Sequence, residues 1–242
     1  MATLINTGTQ ASCAAASSLS VVSPSATSGH TLVLQVSWVD TFAGGAIALS
    51  APSGWTAALA PNSSYNGGGT ACGYGVFYKT AAGGVETAVV AEPSGVHTGL
   101  YADGVITEWS GMGAYDSASS SAVLTNNSAA STTGCTVPNT GTLANANSTA
   151  FTGVALTCST GSTNAGIAFS GGSWTTEMSD QNTSASVGAL AGHQVISSTA
   201  PLNAVYTWTS DASMSNFQAA VVVFSDSGSP AASYSLTSSM EF

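Results

Sequence analysis

Apolar side chains recur at every second position along short runs from one end of the chain to the other, and helical spacing is nearly absent. Across 31–39, Leu32, Leu34, Val36 and Trp38 fall on one face of an extended chain. Across 73–80, Tyr74, Val76 and Tyr78 alternate with Phe77 and Lys79. Runs of the same kind at 85–91, 104–110, 149–156, 165–170, 192–197, 203–210 and 218–225 predict further strands. Gly44-Gly45, Pro52-Ser53-Gly54, the stretch 66–69, Gly83-Gly84, Gly171-Gly172 and Ala200-Pro201 punctuate them as turns. Many short strands divided in this way predict an all-β sandwich or barrel rather than a parallel α/β sheet.

Laid on itself at a shift of about 117 residues, the chain repeats its features in the same order. Leu34 meets Phe151, Trp55 lies near Trp174, the run 74–79 meets 192–196, and 105–110 lies opposite 221–226. Two related halves follow, at approximately 20–125 and 126–226, flanked by an N-terminal arm over 1–19 and a C-terminal arm over 227–242. A half with four or five strands leaves an apolar face open. The halves are therefore expected to pack or interleave as one two-sheet antiparallel sandwich of jelly-roll type.

The motifs in order are Gly-His-Thr-Leu-Val-Leu-Gln-Val-Ser-Trp (29–38), Pro-Ser-Gly-Trp-Thr (52–56), Val-Phe-Tyr-Lys-Thr-Ala (76–81) and Val-Ile-Thr-Glu-Trp-Ser-Gly (105–111). Then come a second Trp-Thr (174–175), Gly-His-Gln-Val-Ile (192–196), Tyr-Thr-Trp-Thr (206–209) and Ala-Ala-Val-Val-Val-Phe (219–224). This order resembles a family of jelly-roll β-sandwich proteins encoded by tailed phages and prophages, found also as modules of secreted bacterial proteins. The resemblance spans roughly residues 20–226 and rests on core and turn positions. It implies a virion accessory protein, as capsid decoration, head fibre or tail-associated module, made in a host cytoplasm and carried in the virion.

Composition narrows the functions. Eleven Asp or Glu stand against a single Lys or Arg, Lys79, for a formal net charge of −10 on 5% charged positions. Nucleic-acid binding, attachment to anionic membranes and phosphoryl transfer all need cations that this chain lacks. More than half of the residues are Ser, Thr, Ala or Gly, yet 44% are hydrophobic and mean hydropathy is +0.28. That is the composition of a folded protein. No secretion signal is visible in 1–19, and the longest strongly apolar run, 217–224, is too short to span a bilayer.

Candidate chemistry is sparse. Cys13, Cys72, Cys135 and Cys158 show no metal-ligand spacing, and Cys135 with Cys158 is the nearest pair for a bridge. His30, His97 and His193 are widely spaced, and no Gly-x-Ser-x-Gly accompanies them. Glu86, Glu92, Glu108 and Glu177 are the candidates for a glycosidase carboxylate pair, with Glu108 beside Trp109 the most suggestive. Asp180, Asn182 and Asp211 are possible calcium ligands in loops. Trp55 and Tyr65 are candidate ligand contacts, Trp55 having an alternative role in covering a core end. Tyr234, Leu236, Met240 and Phe242 alternate along the C-terminal arm as a strand that could add to a partner.

The reading is a non-enzymatic virion structural protein, a capsid decoration or cement protein binding other virion proteins such as the major capsid protein or tail and fibre subunits. It is expected to form a homo-oligomer, a trimer by analogy, and to use no cofactor or metal. The alternatives are a carbohydrate- or receptor-binding module of a tail or fibre and, third, a secreted glycoside hydrolase.

Overall fold

The computed structural model describes residues 1–40, 48–59, 64–65, 71–91, 99–121, 123–126, 134–158, 164–182, 187–210 and 214–226. These form strands and turns with no helix. The first half holds β1 (Thr3–Thr7), β2 (Ala11–Ala16), β3 (Ser18–Val22), β4 (Thr31–Asp40), β5 (Thr56–Leu59), β6 (Ser64–Tyr65), β7 (Ala71–Thr80), β8 (Thr87–Ala91) and β9 (Leu100–Ser110). The second holds β10 (Met112–Asp116), β11 (Leu124–Asn126), β12 (Gly134–Thr136), β13 (Ser148–Cys158), β14 (Asn164–Phe169), β15 (Thr175–Asn182), β16 (Val187–Ile196), β17 (Val205–Ser210) and β18 (Met214–Asp226).

The long sheets of the two halves repeat the same strand order, β6 on β7 being an addition in the first half. One long sheet runs β1-β9-β4-β7-β5 and the other β10-β18-β13-β16-β15, with β2 added on β9 and β11 on β18. Each half also has a small sheet, β3-β8 in the first and β12-β17-β14 in the second. All pairs are antiparallel. The chain crosses between long and small sheet several times in each half, at β3, β8, β12, β14 and β17.

The protein is an all-β sandwich, but its layering departs from a single two-sheet arrangement. Leu32, Leu34, Val36 and Trp38 of β4 turn outward and pack on Leu19 and Val21 of β3 and Val90 of β8. Val154 and Leu156 of β13 do the same against Tyr206 and Trp208 of β17. The opposite faces of the two long sheets meet each other, Val33, Tyr74, Val76 and Trp109 against Phe151, Ala191, Val222 and Phe224. The result is four layers, small, long, long, small, with three apolar seams. Long strands buried on both faces explain why polar residues of β4 such as Gln35 and Ser37 are as inaccessible as its leucines.

Three sequence expectations change. Residues 1–19 are not a free arm: β1 and β2 pair with β9, and β3 begins at Ser18. β1 (Thr-Leu-Ile-Asn-Thr) carries two adjacent apolar residues and β2 (Ala-Ser-Cys-Ala-Ala-Ala) is nearly uniform, so neither shows alternation. The halves divide at Gly111, whose φ of 68° turns the chain from β9 into β10, so 112–126 belongs to the second half. The alignment of Leu34 with Phe151 slips by one residue, since Leu34 faces the outer seam of its half and Phe151 faces the central seam. A one-residue slip reverses a strand's faces, so the order of the repeat was right and that register was not.

The central seam is closest at Tyr74. Its ring covers Gly153 of the other half so tightly that a Cβ there would meet ring carbon Cε2 at 2.1 Å. Its hydroxyl donates to Gln35 Oε1 at 2.7 Å, and its backbone N–H donates to Gln218 Oε1 across the seam at 2.9 Å. Ser37 adds a second crossing, donating to the Val154 carbonyl at 3.2 Å. Replacing Gly153 with Ala is expected to force the sheets apart and lower stability by about 1–3 kcal/mol, measured by chemical denaturation. An unchanged denaturation midpoint would show that the seam yields freely at this point.

Candidate functional site

With so few charged groups, the use of most of the described ones can be traced. Glu108 on β9 is fully inaccessible and faces the outer seam of the first half. It accepts the Thr27 amide at 2.8 Å, the Asn6 side-chain amide at 3.0 Å and a contact from His30 Nδ1 at 2.7 Å. Burial alone would raise its pKa, but these donors together hold it below the usual glutamate range. Glu108 thereby ties β1, the turn before β4 and β9 into one corner.

Glu177 lies on the other face of that corner. Its Oε1 is 2.7 Å from His193 Nδ1, off the line of an N–H bond, and its Oε2 accepts from Thr7 Oγ1 at 2.8 Å. The His193 ring stands edge-on to Trp109 at 4.8 Å. Asn6 and Thr7 are neighbours in β1, one reaching Glu108 and the next Glu177, so the two carboxylates sit on opposite sides of one strand. They do not face each other across a cleft as a glycosidase pair requires.

The other groups are equally committed. Glu86 pairs with Lys79 and accepts the Ala82 amide, and the lysine side-chain contact comes with a pKa held low despite opposing desolvation. Lys79 Nζ also lies 5.9 Å over the Trp55 ring. Asp226 accepts the Ala2 amide at 2.6 Å and Thr149 Oγ1 at 3.4 Å. Asp116 caps its own turn through the amides of Ala118 and Ser119. Asp180 contacts residues of the first half instead of a loop site, and among the described residues no three His, Cys, Asp or Glu side chains converge as metal ligands would.

Trp55, a candidate ligand contact, is only 8% exposed. The turn at Gly54, with φ of 79°, and the Trp55 N–H bond to the Pro52 carbonyl direct its ring into the outer seam of the first half. Trp174, its counterpart, stacks on Phe169 at 6.0 Å. Both recurrences are therefore core positions. Tyr65 pairs through its backbone with Ala71, its side chain lying outside what is described. Tyr234, Leu236, Met240, Phe242, Glu92, His97 and Asp211 lie outside the described residues. Cys72 and Cys135 are free thiols, so the bridge from Cys135 to Cys158 is not formed; burial raises the pKa of Cys135 to about 12.

The sequence did not single out a groove of about 480 Å³ where the first long sheet runs past the second half. Thr31, Thr56, Tyr78 and Thr80 form its floor as cross-strand neighbours of β4, β5 and β7, and Met112 and Gly113 of β10 form a wall. Three threonine hydroxyls and the Tyr78 ring, edge-on to Phe224 at 5.2 Å, offer hydrogen bonds and one aromatic surface; Lys79 also lines it, and no carboxylate does. Its lining comes from β4, β5, β7 and β10, a convergence that no single-strand pattern reveals. No family model matches the chain, and no significantly similar curated protein or solved structure was found.

Replacing Glu108 with Ala would strand the Thr27 and Asn6 donors and is expected to cost roughly 1–3 kcal/mol, while Gln should retain most of the stability. Because folding lowers the Glu108 pKa, its contribution is complete above the ordinary value of 4.5 and is lost as pH falls through the lower folded value. Urea denaturation of wild type and Glu108→Ala between pH 3 and 7 (about the range its titration spans) should show their difference shrinking toward the acid end.

Proposed function

We propose that this is a non-enzymatic structural protein of a tailed-phage virion, a capsid decoration protein that binds other virion subunits. The observation that carries this reading is the division of labour among its side chains. The described carboxylates discussed above hold strands and halves together, and the outer sheets present neutral faces. On the outer face of β3-β8, Val22 and Val89 are 47% and 51% exposed beside Ser20 and Thr87. Such a face suits a fixed neighbour in a lattice, bound by apolar and hydroxyl contact with little dependence on salt.

The test is mass spectrometry of particles purified from a producing lysogen, with copy number per capsid, together with rebinding of Val22→Asp/Val89→Asp protein. Stoichiometric occupancy that the double variant loses while keeping its denaturation midpoint supports the reading. Absence from the particle overturns it.

The groove favours a second reading, a carbohydrate-binding module of a tail or fibre. Its size suits one or two sugar rings, and its neutral hydroxyls beside Tyr78 match polyhydroxylated ligands. A glycan array should then show saturable binding that Thr56→Val/Thr80→Val abolishes with the fold intact. Binding that survives this change would place the sugar elsewhere.

A further inference from the structure

We infer that Asp103 and Asp180 form a proton-dependent latch between the halves, closed when the pair shares a proton and loosened at the β2–β15 edge when both carboxyls are ionised. Asp103 lies on β9 of the first half and Asp180 on β15 of the second. Ser12 Oγ of β2 donates to Asp103 Oδ1 and stands 3.5 Å from Asp180 Oδ2. Gln10 completes the clasp, its Nε2 donating to Asp103 Oδ1 at 3.3 Å while its Oε1 accepts the Ser179 amide of β15 at 3.2 Å. Four side chains and one backbone amide thus join the halves along this edge. Two of them are acids placed where like charges repel.

The groups facing Asp103 can be named by element. β2 contributes Ser12, β4 contributes Ser37 across the ladder, β15 contributes Asp180, and β16 contributes apolar Val187 and Ala189; Tyr101 lines the same small cavity from its own strand. Asp103 is partly buried, and the cavity beside it holds about 10 Å³, room for a water at most, so solvent screens a second charge only in part. Burial, and then the hydrogen bond and charge of Asp180, raise the Asp103 pKa to about 7, outweighing the lowering by Ser12 and Gln10. The linkage has a definite sign. Below the ordinary aspartate value of 3.8 the proton is bound in folded and unfolded chains alike; between 3.8 and about 7 the folded protein alone keeps it, so stability falls as pH rises through that window and levels off above it.

The test compares urea midpoints and hydrogen-exchange protection of 175–182 for wild type, Asp103→Asn and Asp180→Asn across about pH 4.5 to 7.5, the window of the linkage. Asn keeps the shape of the neutral acid, so the variants should gain on wild type as pH rises. Protection of 175–182 should fall by about tenfold in wild type and by less than about twofold in Asp103→Asn. A wild-type-to-variant difference that is flat with pH overturns the latch. Should Asp103→Asn fail to fold, carboxyl ¹³C titration of wild type decides: an Asp103 midpoint near neutrality supports the latch, and one near 4 overturns it.

Discussion

The fold depends on the burial of two long sheets against each other. A strand that is apolar on both faces needs two partners, and in each half the small sheet can cover only one side. The inner face, with Trp109, Phe151 and Phe224, must be covered by the other half. Neither half is therefore a complete domain, although each has its own outer core. The repeat has converted what would be an oligomeric interface into an internal one. Tyr74 over Gly153 sets the separation of the sheets there, because ring thickness and an absent Cβ decide how near the backbones come.

Scarcity of charge shapes everything outside that seam. Lys79 is balanced by Glu86, and the buried acids Glu108 and Asp226 gain backbone amides. A carboxylate that accepts several donors can be buried with few cations, since each N–H replaces water it has lost. Such acids behave as connectors: Glu108 reaches three chain segments, and Asp226 joins the first strand of one half to the last strand of the other.

Much of this could be read from the residues. Period-two runs marked β4, β7, β8, β9, β13, β14, β16, β17 and β18, and the paired Trp-Thr turns revealed the duplication; polar β15 was not marked. β2 escaped because a Ser-Ala run has no contrast between its faces, β12 because three residues show no period, and β1 because its apolar pair, Leu4 and Ile5, is adjacent. The site residues were less legible. Glu108 drew notice beside Trp109, and alternation along the strand already sets these neighbours on opposite faces; what only the fold shows is that one is bound to His30 and the other touches His193. Asp103 carries no local motif at all; its character comes from Asp180, 77 positions away and in the other half. Facing across sheets is a property of layers, and periodicity within a strand does not encode it.

The corner where Ala2 meets Asp226 has a mechanical meaning. Gly111 links the halves covalently at the same corner, where its Cβ position lies 3.3 Å from the Met1 carbonyl. Asp103 lies eight residues before Gly111, roughly 26 Å away at strand rise. The molecule is therefore built like a book. Its spine is the Gly111 turn clasped by Asp226, its fore-edge is the meeting of β2 with β15, and leverage grows with distance from the spine. A load applied at residues 2 and 226 would strain the spine alone, whereas a small repulsion at the fore-edge acts at the end of the longest arm.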